Sequence, residues 1–461
     1  MRELSWTSTA WKDACSPRAI AAGILVLGAI ASLVVNYPGH LEFDSIMQMA
    51  EGRTGIYSNW HPPVMSWLLG LADAARGDAW FFVLLDTVMG YGALFSLLWL
   101  VEKPGAGSIL AALVCAALPQ FFLFSAIVWK DVLFASALLA TFASVAHAAA
   151  RWKSRNWRPA LLGGAAIFAA LAVLTRQNGA VLLPCAVVAV GAVAWQAQGA
   201  RRAAVIAVGF SAMVGALCIG GNALLQLRAS KALGPIEELE DLQLYDLAGM
   251  LKQRPDLPLA VLERDAPDMA QALRDNAPRL YTPAMHDPLT NAPAIHSRII
   301  RSVVPVRREW LETVLANPGL YLSVRAEDFN WLFFNQHPDK CLTYAVGVIG
   351  PEKQMKFLGL RYRYDDRDAW LNDNYADPLI GTPVFWHPLF AALAGIAFIL
   401  LVRRRRPPDL AMAAMLAAAA LYAASYFVIS IACQYRYLLA LDTSALAAFL
   451  YLSMDWRGFR R

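Results

Sequence analysis

The sequence has few charged residues, no cysteine motif and no internal repeat. Only 16% of its 461 residues are charged, whereas soluble globular proteins carry roughly 25%. The six cysteines form no CxxC pair, so they indicate neither a zinc knuckle nor a disulfide framework. They leave open a single Cys341–Cys433 bridge outside the cytoplasm. The absence of a repeat disfavours a transporter built from inverted halves.

What the sequence has instead is long apolar runs. Hydrophobic residues make up 58% of the chain, and ten runs reach the roughly 17–23 residues that cross a bilayer. The first run follows Arg18 without a small-residue cleavage site, which indicates an uncleaved anchor. We therefore predict an all-α polytopic membrane protein with about ten transmembrane helices, near 18–36, 79–101, 106–127, 132–150, 159–175, 179–197, 203–225, 384–402, 409–431 and 434–453.

The basic residues predict the orientation of these spans, because cytoplasmic loops carry an excess of lysine and arginine. With the N-terminus in the cytoplasm, the short outer turns hold few cations. Both termini are then cytoplasmic. The cytoplasmic connections hold Arg151, Lys153, Arg155, Arg158, Arg201, Arg202 and the run 403–406, and the C-terminal tail holds Arg457, Arg460 and Arg461.

Two outer segments, 37–78 and 226–383, are too long to be turns. We predict that the first forms two short interfacial helices, around 44–52 and 62–75. The second is polar and rich in proline, with turn signals such as Asn317-Pro318-Gly319, and is predicted to be one mainly helical extracytoplasmic domain. The predicted division is 1–225 for an N-terminal transmembrane module, 226–383 for the outer domain and 384–461 for C-terminal transmembrane helices.

Ionisable residues collect at the outer ends of the spans. Each has an ordinary explanation as a helix cap, an arginine reaching the headgroups or an aromatic anchor. These explanations account poorly for the joint placement, since polar groups near the membrane are costly and indicate a functional site. The residues concerned lie in four outer segments: Asp44, with Trp60-His61-Pro62-Pro63 in the same loop; Trp129-Lys130-Asp131; Thr175-Arg176-Gln177-Asn178; and Cys433-Gln434-Tyr435-Arg436-Tyr437.

These residues resemble a known family. A first outer loop with an acid soon after the first span, followed by Asn59-Trp60-His61-Pro62-Pro63, is similar to that of the C-type glycosyltransferases. The likeness is to bacterial relatives of the protein mannosyltransferases, including aminoarabinose transferases. It covers roughly the first 180 residues and the final spans. The sequence departs from relatives that carry two adjacent acids, because Phe43 separates Glu42 from Asp44 and Lys130 stands beside Asp131.

The resemblance implies transfer of a sugar from a polyprenyl-phosphate donor to an acceptor hydroxyl outside a bacterial inner membrane. Asp44 is the predicted general base, acting with inversion, and Lys130, Arg176 and Arg436 are predicted to bind the donor phosphate. Mg²⁺ or Mn²⁺ held by Asp44 and Asp131 could share that role, or Lys130 could replace it. Residues predicted to surround the substrates are Glu42, Trp60, His61, Gln177, Asn178, Gln434 and Tyr435.

The expected partners are the lipid-linked donor, membrane lipids and a glycan, lipid or protein acceptor, with no nucleic acid. The domain at 226–383 is expected to select the acceptor, with Arg325, Asp328 and His337 as candidate contacts. Two alternatives remain. A lipid-linked glycan ligase or polymerase would depend on a histidine such as His337, with Asp44 dispensable. A transporter of lipid-linked sugars would carry charges near the middle of its spans, where Asp86 is the clearest example.

Overall fold

The computed structural model describes residues 16–58, 60–228 and 237–455. Asn59 of the first-loop motif lies outside the described residues, as do Arg2, Lys12 and the tail arginines 457, 460 and 461. The described residues are helical and contain isolated bridges in place of strands. This confirms the all-α prediction.

Within the described residues, the first ten α-helices contain seven of the predicted spans and both helices predicted for the first outer loop. They are α1 (Pro17–Val35), α2 (Phe43–Thr54), α3 (Pro63–Arg76), α4 (Trp80–Leu97), α5 (Gly107–Ala117), α6 (Pro119–Phe122), α7 (Lys130–Ala150), α8 (Trp157–Thr175), α9 (Leu182–Gln198) and α10 (Ala200–Arg228).

The remaining helices include the large outer segment and the last three predicted spans. They are α11 (Glu237–Gln253), α12 (Ala260–Asp265), α13 (Pro267–Leu280), α14 (Asp287–Thr290), α15 (Pro293–Ala316), α16 (Pro318–Phe334), α17 (Glu352–Leu358), α18 (Asp366–Trp370), α19 (His387–Arg404), α20 (Pro407–Ile429) and α21 (Leu439–Ser453).

Each predicted span corresponds to a helix, with two differences. Among the described residues, eight helices are long and apolar enough to cross a membrane, or nine if a bent pair counts as one span. The bent pair is the third predicted span, which breaks by 59° before Pro119 because proline cannot donate a helical hydrogen bond. The tenth span is a helix of only 15 residues, because residues 435–438 form a 3₁₀ turn instead.

The chain forms two compact units. The described residues of Met1–Ala232, Tyr344–Ala423 and Leu438–Arg461 form the first, and those of Leu233–Thr343 and Ala424–Tyr437 form the second. The sequence analysis grouped 344–383 with the outer segment, whereas in the structure these residues belong to the first unit. In that unit, α7 is the most buried of the candidate spans and packs against α4, α8 and α21.

Helices α2 and α3 of the first outer loop are fastened together. They cross where Gly52 meets Gly70, so closely that a Cβ on either glycine would strike the backbone of the other helix. Glu51 accepts hydrogen bonds from the hydroxyls of Ser58 at 2.6 Å and Ser66 at 2.7 Å. Ser58 and Ser66, which lie on either side of His61 in the sequence, are therefore both held by Glu51.

The second unit has its own core and a buried charge cluster. Helices α11, α13 and α16 contribute Leu247, Leu273 and Val324, all fully buried, to one hydrophobic cluster. Inside it lies Arg325, with none of its side chain exposed, bound to Asp246 at 3.0 Å and to Asp328. The candidate acceptor contacts Arg325 and Asp328 are therefore structural residues.

The disulfide left open by the sequence is present. Cys341 and Cys433 are bonded across a sequence separation of 92 residues, with Cα atoms 5.1 Å apart. Closing so long a loop restricts the unfolded chain, so Cys433→Ser is expected to lower stability by about 2–4 kcal/mol. Thermal unfolding of the full chain in detergent tests this. Cys218→Ser, which changes a free cysteine, is the control and should unfold like the wild type; equal unfolding of both variants would contradict the prediction.

Candidate active site

A small set of backbone hydrogen bonds brings distant loops of the first unit together. The amide of His40 donates to Ala126 at 2.9 Å, and its carbonyl accepts from Val128 at 3.0 Å. On the other edge, the amide of Leu41 donates to Gly347 at 2.9 Å. The segment before α2 thus lies beside the segment before α7. Because Asp44 lies in the first turn of α2 and Lys130 begins α7, these hydrogen bonds hold the starts of the two helices side by side.

The side chain of His40 completes this junction. Its Nδ1 accepts the amide of Gly347 at 2.9 Å, and its Nε2 is 2.9 Å from the Asn36 amide oxygen. Burial, with a smaller contribution from Arg363 and Arg367, lowers the pKa of His40 to about 3. The ring is therefore neutral at physiological pH and acts as a hydrogen-bonding support.

Glu42 and Ser45 fasten the start of α2 to the start of α7. The indole nitrogen of Trp129 donates to the Glu42 carboxylate at 2.9 Å, and the hydroxyl of Ser45 donates to the carbonyl of Val128 at 2.7 Å. Glu42 and Ser45 also form a capping box at the N-terminus of α2. In this structure Glu42, predicted to contact substrate, orients the helix that carries Asp44.

The first cluster of side chains in the site consists of a carboxylate, an imidazole and an ammonium. The Lys130 amine lies 3.0 Å from His61 Nδ1, and His61 Nε2 lies 3.9 Å from the Asp44 carboxylate. His61 and Lys130 are each 5% exposed, whereas the Asp44 side chain is 22% exposed. The arrangement therefore presents an accessible carboxylate backed by a buried imidazole and a buried cation.

The second group is built on the next residue of α7. The Asp131 carboxylate, 1% exposed, binds the Arg176 guanidinium at 2.9 Å. Arg176 also donates from Nε to the Tyr422 hydroxyl at 3.1 Å, and Tyr422 stacks on Phe134 with ring centres 4.1 Å apart. Tyr422 is a residue that the sequence analysis missed, because nothing in the apolar run of α20 marks it apart from its hydroxyl.

The remaining predicted residues divide between the two units. In the first, Gln177 donates to the backbone carbonyl of Trp60 at 3.5 Å, and Asn178 is half-buried in the same 3₁₀ turn. Gln434, Tyr435 and Arg436 belong to the second unit.

Within the second unit, the segment that carries Arg436 is tied down. The amide of Tyr435 donates to Leu342 at 3.0 Å, next to the disulfide of Cys341. Arg436 is 3% exposed, and its guanidinium lies 5.7 Å from the centre of the Tyr437 ring. His337 packs against Trp331 in the same unit, with ring centres 4.0 Å apart and ring planes at 32°.

The donor set around Asp131 fits a divalent cation poorly. Within the described part of the chain, no group of three or more histidine, cysteine, aspartate or glutamate residues could hold a metal ion. Asp131 binds the guanidinium of Arg176, and Lys130 places a positive charge at the adjoining position. Mg²⁺ is held by oxygen ligands. The side chains of Arg176 and Lys130 next to Asp131 are instead positively charged and would repel the ion.

No family model and no curated protein matches the chain. A solved structure, archaeal oligosaccharyltransferase AglB from Archaeoglobus fulgidus in complex with an inhibitory peptide and a dolichol-phosphate, is similar over 98% of this chain and 51% of its own. The TM-score is 0.45 and the sequence identity 14%. This chain spans about half the length of that protein. At this level of similarity the function must be argued from the site itself.

Proposed function

We propose that this chain is an integral membrane glycosyltransferase that moves a sugar from a polyprenyl-phosphate donor to an acceptor hydroxyl outside the cytoplasm. The observation that carries the proposal is the pair of groups at the start of α7. Asp44, His61 and Lys130 form one, and Asp131 and Arg176 form the other. Together they supply a base and two cations, which are what this reaction requires.

Asp44 is the general base in this proposal. Its carboxylate is partly exposed, so an acceptor hydroxyl can reach it, and it lies in the first turn of α2, where the helix dipole favours a negative charge. As the hydroxyl oxygen attacks the anomeric carbon, its proton passes to Asp44 and the bond from that carbon to the donor phosphate breaks. A single displacement from the face opposite the phosphate inverts the anomeric centre.

Lys130 and Arg176 stabilise the departing polyprenyl phosphate. Negative charge grows on that group in the transition state, and fixed cations in a poorly hydrated site stabilise it strongly. Both residues are buried, and Asp131 and Tyr422 fix the position of Arg176. Arg436, which the sequence predicts to bind the donor phosphate, belongs to the second unit.

The disulfide supports an extracytoplasmic location for the second unit. Disulfides persist in oxidising compartments and are rare in the cytosol, and Cys433 lies three residues before Arg436. The bacterial inner membrane, with both termini cytoplasmic, is the location we propose. The apolar spans of the protein would hold the lipid tail of the donor.

The proposed cations lead to a prediction about metals. Since Lys130 and Arg176 provide the positive charge, EDTA should leave the transfer rate within about twofold of the untreated rate, a factor that corresponds to less than one kcal/mol. Transfer by the purified protein, measured with and without the chelator, tests this. A loss of transfer that added Mg²⁺ or Mn²⁺ restores would contradict it and support the Asp44–Asp131 metal site.

A reconstituted assay tests the proposed function against its rivals. Proteoliposomes that contain the wild-type protein and a radiolabelled polyprenyl-phosphate sugar are offered candidate acceptors, and the label is followed. Covalent transfer to an acceptor with release of polyprenyl phosphate supports the proposal. Movement of intact donor between leaflets indicates a transporter. Transfer that survives Asp44→Asn but is lost in His337→Ala indicates the ligase or polymerase.

A further inference from the structure

His61 lies between the Asp44 carboxylate and the Lys130 ammonium. The geometry points to His61 as a positioning residue that holds Lys130 through Nδ1 and Asp44 through Nε2, an inference that rests on the proposed function. It assigns the histidine a role distinct from contact with sugar. The base and the phosphate-binding cation are then set by one side chain.

The hydrogen-bonding capacity of lysine fixes the state of the ring. A lysine ammonium has donors and no acceptor, so His61 Nδ1, 3.0 Å from the Lys130 amine, must accept. A neutral ring that accepts at Nδ1 carries its proton on Nε2. That N–H lies 3.9 Å from the Asp44 carboxylate, which is an electrostatic contact at rest. Such contacts often shorten once substrate is bound.

The backbone around His61 suits a positioning role. Pro62 and Pro63 follow directly, and Pro63 begins α3, so the chain direction after the imidazole is restricted. Helix α3 is itself fastened to α2 through the close contact of Gly52 and Gly70. The contact between α2 and α3 therefore helps to place both Asp44, in α2, and the imidazole of His61, just before α3.

The burial of Lys130 explains why an acceptor is needed at this position. A buried ammonium without hydrogen-bond acceptors is costly, and Lys130 is only 5% exposed. His61 supplies an acceptor without adding a third negative charge beside Asp44 and Asp131. The ammonium keeps its positive charge available for a phosphate, which a carboxylate at position 61 would neutralise.

Two substitutions distinguish the roles of the two ring nitrogen atoms of His61. In His61→Asn the amide oxygen replaces Nδ1 and can hold Lys130, but the contact of Nε2 with Asp44 is lost. In His61→Gln the amide nitrogen replaces Nε2 and can reach Asp44, but the contact of Nδ1 with Lys130 is lost. We expect His61→Asn to lower kcat roughly tenfold with donor KM within about twofold, and His61→Gln to raise donor KM roughly tenfold with a smaller effect on kcat.

Binding of farnesyl phosphate to purified protein in detergent provides a readout that needs no turnover. His61→Gln should weaken this binding roughly tenfold and His61→Asn by no more than about twofold. Equal effects of the two substitutions on KM, kcat and binding, or no effect of either, would overturn the positioning role while wild-type transfer stands. The expected binding split in a protein that transfers no sugar would refute the proposed function alone.

The tautomer can also be measured without changing His61. In wild-type protein labelled with ¹⁵N-histidine, the signal of His61 is the one displaced by Lys130→Gln. Chemical shifts that show a protonated Nε2 and an accepting Nδ1 support the inference. A protonated Nδ1 contradicts it, whether or not the substituted proteins fold.

Discussion

Asp44→Asn should lower kcat for sugar transfer by about 10²–10⁴-fold, which is the contribution of a positioned general base. The substitution preserves the size of the side chain in the first turn of α2 but removes its ability to take a proton. The hydrogen bonds that place the start of α2, between Trp129 and Glu42 and between Ser45 and Val128, do not involve the altered group. The loss should therefore appear in kcat, with little change in donor binding.

Asp78→Asn is the matched control for Asp44→Asn. Asp78 follows the first-loop helices, its side chain is 24% exposed, and it pairs with Arg76 at 3.0 Å. Its other oxygen accepts the amide of Trp80 at 2.9 Å, a contact that asparagine can also make. This variant should transfer sugar at close to the wild-type rate. Undiminished transfer by Asp44→Asn, or equal loss in both variants, would refute the assignment of Asp44 as base.

Arg325→Met should destabilise the second unit by about 3–5 kcal/mol, as expected when one partner of a buried charge cluster is removed. The guanidinium binds Asp246 and Asp328 and donates to the carbonyls of Val428 at 3.0 Å and Ser430 at 2.8 Å. Methionine fills similar volume but leaves both carboxylates without a cation. Protease cleavage within residues 237–335 of the full chain in detergent, followed against temperature, measures the loss.

The loss of stability caused by Arg325→Met should be greatest at high pH. Burial, opposed by Arg325, raises the pKa of Asp246 to about 7 and of Asp328 to about 6, against about 3.9 in an unfolded chain. The folded unit therefore holds more protons between pH 4 and 7, and its stability falls as pH rises through that range. Without Arg325 both values rise further, so Arg325→Met should lose more stability at pH 8 than at pH 5.

Two further variants show whether charge burial is the cause. Arg308→Met removes an exposed arginine from α15 of the same unit and should unfold within about 0.5 kcal/mol of the wild type. Adding Asp246→Asn and Asp328→Asn to Arg325→Met removes the unpaired carboxylates and should recover part of the loss. A pH-independent loss, or no recovery in the triple variant, would contradict the explanation.

The apolar runs predicted the helices well because their length and composition directly determine which segments cross a bilayer. Even the break in the third span has a local cause, Pro119, that is visible in the sequence. The shortened last span was missed because its first residues, 435–438, form a 3₁₀ turn that belongs to the second unit through Tyr437. Local composition did not distinguish that turn from a continuing helix.

The site was predictable in part for a topological reason. If spans alternate across a membrane, the loops that carry Asp44, Lys130 and Arg176 share one face, and the structure brings Asp44 and Lys130 to His61. The pairing of individual atoms depends on packing between residues far apart in sequence. Nothing local indicates that Tyr422 meets Arg176, or that Arg325 is an internal structural cation with no surface to offer an acceptor.

The anomeric configuration of the product tests the central claim most directly. Purified wild-type protein is given a polyprenyl-phosphate sugar of defined configuration and an acceptor alcohol. The configuration of the product is determined by NMR, and the polyprenyl phosphate released is quantified. A single displacement assisted by Asp44 predicts an inverted anomeric centre and one polyprenyl phosphate released for each sugar transferred. Retention of configuration, or transfer without release of polyprenyl phosphate, would contradict it.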